Sequence, residues 1–149
     1  MMPFALARVL QLATGRSETQ ARTVKLAHGI WLRARGRRVQ LTALRDAHVA
    51  QLAVELRDGI AAAQLQEKNR LQIAQLAEMQ AAQAAIDAAY RDWQAQLAEW
   101  IKLDQRVKAL RLLEQRHLAQ IAVQQRRIEQ RQHDELVELA HHRESRHLS

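Results

Sequence analysis

The chain has 149 residues, about the length of one ordinary domain, and its composition narrows the architectures open to it. Ala, Leu and Gln, all good helix formers, dominate it, while Gly occurs four times and Pro once, too few turn residues for a β-rich fold. The absence of cysteine excludes disulfides, thiol catalysis and Cys-ligated metal, and the formal net charge of +7 points toward acidic partners.

The basic excess is unevenly placed. Residues 1–50 carry nine basic and two acidic side chains, residues 51–100 four and seven, and residues 101–149 ten and seven. A chain folded back near its middle would therefore bring two basic ends together and leave an acidic opposite tip. No run of 18 or more apolar residues occurs, and the stretch over residues 4–13 is interrupted by Arg8 with no cleavage site after it. Neither a membrane span nor a signal peptide is expected, and a cytoplasmic protein is. Phe4, Trp31, Tyr90, Trp93 and Trp100 are the whole aromatic set, so most apolar burial must come from narrow aliphatic stripes.

In the N-terminal third, Leu10, Ser17, Val24 and Trp31 recur every seven residues, with Leu6, Ala13, Ala27 and Ala34 between them. Such a repeat predicts a helix of about residues 5–57 in a coiled coil. The pattern is expected to slip as a stutter near residues 35–38, after which Leu41, Leu44, His48, Leu52 and Leu56 restore an apolar edge. Asp58 and Gly59 are the best helix break, since Asp-Gly is a turn dipeptide and no glycine follows, which places the turn within about residues 57–67.

The second helix is expected over about residues 66–145. Its seam is Ile86, Trp93, Trp100, Val107, Glu114, Ile121 and Ile128, spaced by seven, with Tyr90, Leu97, Leu103, Leu110 and Leu118 between. At about 1.5 Å per residue the second helix outruns the first by roughly 45 Å and overhangs it at the C-terminal end. There Gln124, Gln125, Arg126, Arg127, Arg131 and Gln132 replace the apolar seam, so the segment is expected to fray until covered. The patch of Leu136, Val137, Leu139 and Ala140 beyond it reads equally as pairing with residues 4–12 or as a docking strip. The fold expected is all-α, a single long two-helix antiparallel coiled coil.

Chemistry-bearing motifs are few. Glu114/His117 and Glu138/His141 have the Glu-x-x-His spacing of di-iron bundles, but they lie about 36 Å apart along one helix, too far to share a metal. His141 and His142 point about 100° apart and share no face. Ser17, Ser145 and Ser149 sit in charged surface contexts or at the end of the chain, and no Gly-rich phosphate loop accompanies them, so no catalytic site is expected. The cluster Arg33, Arg35, Arg37 and Arg38 admits three readings, placed in the order protein docking, plain solvation and nucleic acid. Trp93 and Trp100 share the seam and are expected to pack against the first helix, with Trp31 opposite.

Several segments then bear on family. These are the start over residues 4–13 (FALARVLQLA) followed by 18–22 (ETQAR), the small-residue turn over 58–63 (DGIAAA), Trp100, the basic heptads over 102–116, and the tail over 127–136 (RIEQRQHDEL). Together they resemble the FliJ family of the flagellar protein-export apparatus, whose injectisome counterparts are the YscO-type proteins. The resemblance implies a cytoplasmic hairpin similar to the two-helix stalk of the rotary ATPase γ subunit. It implies partners too: the hexameric export ATPase, whose assembly and activity the protein promotes, the FlhA-type export-gate membrane protein, and export chaperones. No cofactor or small-molecule substrate follows from it, and nucleic acid ranks behind protein partners. The gate-contacting positions it implies are Leu41, Leu44 and His48 before the turn and Leu71 and Leu76 after it, where the family's aromatics are replaced by Leu and His. The basic residues Arg8, Arg22, Arg116 and Arg127 are the expected ATPase contacts. A basic structural coiled-coil scaffold associated with nucleic acid is the alternative.

Overall fold

The computed structural model describes residues 3–148, and among these only two elements occur: helix α1, Ala7–Asp58, and helix α2, Ala62–His147. The two long helices pack against each other as an antiparallel hairpin, with no strand among the described residues.

Gly59 ends α1. It holds φ at +96°, a left-handed conformation that costs a side-chain-bearing residue energy and that commonly closes helices at the position after the C-cap. Arg57 lies in the last turn, where a cation suits the negative end of the helix dipole. Two residues later the chain turns helical again, with Leu65 N–H donating to Ala61 O over 3.0 Å.

Burial repeats every seven residues along both helices. In α1 the inward positions are Leu10, Ser17, Val24, Trp31, Arg38, Arg45 and Leu52, alternating with Ala13, Gln20, Ala27, Ala34, Leu41, His48 and Glu55; all except Arg38 are buried or half-buried. In α2 one set runs unbroken from Leu65 through Gln72, Met79, Ile86, Trp93, Trp100, Val107 and Glu114 to Ile121, and its companion set from Lys68 to His117. This corrects three sequence readings. The spacing of seven passes through residues 35–38 with no inserted residues, so there is no stutter. Leu44 and Leu56 lie off the seam and are exposed, while Arg45 and Glu55 occupy it. Tyr90, Leu118 and Ile128 are likewise exposed. A residue's angle on the helix decides burial here, and the aliphatic stems of Arg45 and Lys68 cover apolar surface while their charges reach water.

Two compact units divide the chain, one of residues 3–16 with 103–148 and the other of residues 17–102. The first holds the buried cluster Ala13, Val107 and Leu110, against which Val9 and Leu10 pack. Val107 is 3% exposed, the most buried side chain of the apolar core. Thr14 bonds back to Leu10 O at 2.8 Å and Phe4 lies 5.6 Å from the His117 ring.

In the second unit the layers are mixed. An aromatic group joins the helices, with Trp31 stacked on Trp93 at 5.0 Å, His28 at 4.5 Å from Trp93, and the Arg35 guanidinium 4.7 Å above Trp31. Gln20 Nε2 donates to both Gln96 O and Gln96 Oε1 at 2.9 Å. Nearer the turn, Gln75 Nε2 donates to His48 Nδ1, and Lys68 Nζ lies 3.7 Å from Glu55 Oε1.

Candidate interaction surfaces

Five residues near the turn are expected to meet the export gate, and the register sorts them into three settings. Leu41 and His48 are half-buried seam positions, His48 tied to Gln75 across the hairpin. Leu44 and Leu71 are exposed and by their heptad positions border one side of the seam; Leu76, also exposed, borders the other. The five therefore do not make one patch. Leu44 with Leu71 forms one exposed flank, and Leu76 has Val49 and Leu56 of α1 for heptad-equivalent neighbours on the opposite one.

These flanks matter because the seam between them is polar. From Arg45 to the turn and back to Gln75, the inward positions are Arg45, His48, Leu52, Glu55, Leu65, Lys68, Gln72 and Gln75, of which only two are apolar. Glu55 Oε2 and Gln75 Oε1 are buried there with no hydrogen-bond partner among the described residues. Apolar side chains that a coiled coil would ordinarily bury lie outside instead, Ile73 being 70% exposed. Hydropathy alone does not show this reversal, whereas the spacing of seven from Trp93 back to Leu65 does.

The four expected ATPase contacts are all exposed. Arg8, Arg116 and Arg127 belong to the first unit and Arg22 to the second, where its Nη2 donates to Thr19 Oγ1 at 3.2 Å. From residue 122 to its end at His147 every side chain of α2 is exposed. Leu136, Val137 and Leu139 therefore do not pair with residues 4–12, since Phe4 meets His117 instead. All four arginines of the cluster over residues 33–38 are exposed, with the Arg35 guanidinium lying over the Trp31 ring.

The model of the flagellar FliJ protein family matches residues 2–146, nearly the whole chain. The chain belongs to the FliJ family. No curated protein matches it, and no solved structure does. Membership makes it a component of flagellar protein export, in a family that is not catalytic.

Among the described residues no group of three or more His, Asp or Glu side chains is placed to hold a metal, and no helix is long and apolar enough to cross a membrane. Glu114 and His117 are half-buried seam residues, whereas Glu138, His141, His142 and Ser145 line an open stretch of the exposed α2 end. Ser17 is half-buried in the seam, and Ser149 lies outside the described residues. What the FliJ fold offers is surface, in the form of two apolar flanks, exposed arginines and the uncovered end of α2.

Proposed function

We propose that the protein is the stalk of the export ATPase. It binds and stimulates the ATPase ring through Arg8, Arg22, Arg116 and Arg127, and connects the ring to an FlhA-type export-gate protein and to export chaperones at the cytoplasmic face of the apparatus. The observation that carries this reading is the family match across residues 2–146 on a two-helix hairpin on which all four of these arginines are exposed. Exposed arginines attract an acidic ring surface at long range and dock at little desolvation cost. The gate contact rests on the flanks around the turn: Leu44 and Leu71 on one side, Leu76 on the other, with Leu41 and His48 setting the helix spacing beneath them.

The test is ATP hydrolysis by the purified export ATPase with and without this protein. Stimulation is expected, and reversing charge at Arg8, Arg22 and Arg116 should weaken it while leaving the circular dichroism spectrum unchanged, since exposed substitutions rarely cost more than about 0.5 kcal/mol each. Absent stimulation, together with salt-sensitive retention on DNA, would instead favour a nucleic-acid-associated scaffold.

A further inference from the structure

The α2 segment over residues 122–147 runs for about 39 Å with no helix packed against it among the described residues, and an isolated helix of that length is marginal in water. Its residues are nevertheless patterned for one. At about 100° per residue, Ile121, Ile128, Leu136 and Leu139 fall within roughly 80° of one another, on the side that forms the hairpin seam at Val107 and Glu114. Gln125 and Gln132 share that arc, so the face is a mixed one, and it continues past the start of α1 at Ala7, where no helix among the described residues covers it.

Charge says what covers it. Along one edge of that face lie, in order, Arg127, Arg131, Glu135 and Glu138, again within roughly 80°. None of the four has an ion pair among the described residues. A basic half followed by an acidic half on one edge complements its own copy when two such helices run antiparallel about a two-fold axis, because like edges then meet in reversed order. With the axis near Gln132 and His133, Arg127 faces the copy's Glu138, Arg131 faces the copy's Glu135, and Ile128 comes level with the copy's Leu136. Apolar and ionic layers fall in the same register, and the incoming helix runs in the direction that α1 takes against α2.

We infer that residues 122–147 are a self-complementary docking segment whose occupant is the same segment of a second copy of this chain. Pairing places Arg127 under the partner helix, so the paired form withholds one of the residues proposed to meet the ATPase; the inference itself does not depend on that proposal. A contact between two single helices of this length belongs to the small, weak class of interfaces, so the dimer is reversible.

Sedimentation equilibrium of the full chain tests it. The wild type should pass from monomer to dimer below about 500 µM, as a small interface predicts. Arg127→Glu with Arg131→Glu makes the edge wholly acidic, and Glu135→Lys with Glu138→Lys makes it wholly basic; each double variant alone should dimerise at least tenfold more weakly. Mixed in equal amounts they should form a heterodimer at least as tight as the wild-type dimer, which a misfolded variant could not do. A wild type monomeric throughout that range would overturn the inference and leave this face to a different protein. Variants that dimerise as the wild type does, or whose mixture stays monomeric, would overturn it equally.

Discussion

The cluster around Val107 and the layers nearest the turn use the same backbone geometry for opposite chemistry. In the first, Val9, Leu10, Ala13, Val107 and Leu110 exclude water along a seam with no polar side chain among its buried members. In the second, Arg45, His48, Glu55, Lys68, Gln72 and Gln75 occupy inward positions while Val49, Leu56, Ile73 and Leu76 stand in solvent. One region thus spends its apolar residues on pairing the helices, and the other presents them. A coiled coil needs only enough seam to hold its register, and polar layers can supply register at a cost in stability.

Substitutions should separate the two regions. Val107→Asp puts a charge at a 3% exposed position and should cost about 3 kcal/mol or more, lowering the thermal midpoint by roughly 6–12 °C. Leu110→Asp should cost nearly as much and Leu103→Asp, half-buried, less. The same charge at Gln72, in the polar layers, should cost under about 1 kcal/mol; equal losses at Val107 and Gln72 by thermal melting would erase the distinction.

Removing one side of the His48–Gln75 pair, as in His48→Leu, should cost about 1–2 kcal/mol because the remaining polar group is left buried. Replacing both by Leu should recover most of that loss, and a denaturant-melt double-mutant cycle reads the coupling. Trp31→Ala and Trp93→Ala should show a coupling of about 1 kcal/mol in the same experiment, in line with their stacking at 5.0 Å. Smallest is the glycine contrast. Gly36→Ala, in an exposed helix interior with nothing near the new methyl, should stabilise by about 0.5–1 kcal/mol, and Gly59→Ala, at φ +96°, should destabilise by about 1 kcal/mol.

Much of this fold is legible in the sequence. The repeat from Ile86 to Ile121 identifies the α2 seam, Trp31 is placed opposite Trp93, and Gly59 marks the break, because each of these features has a local cause in spacing or backbone freedom. Misreadings cluster where hydropathy and register disagree. Leu44 and Leu56 draw the eye away from Arg45 and Glu55, so an unbroken repeat reads as a stutter. The same disagreement hides the flanks, since the five gate-contact positions that the resemblance implies occupy two flanks and a seam. Partner surfaces are less legible because an exposed leucine carries no local sign of what covers it.

If partner binding near the turn belongs to the flanks and the polar seam only holds the helices in register, substitutions in the two places should have different effects on that binding. Binding of the gate protein's soluble domain by two variants of equal helicity decides it, one with Leu44→Asp and Leu71→Asp on a flank, the other with His48→Leu and Gln75→Leu in the seam. Calorimetric titration should show at least a tenfold loss of affinity for the flank variant at an unchanged melting temperature, and near wild-type affinity for the seam variant. Loss of binding in the seam variant with retention in the flank variant would place the contact in the seam instead.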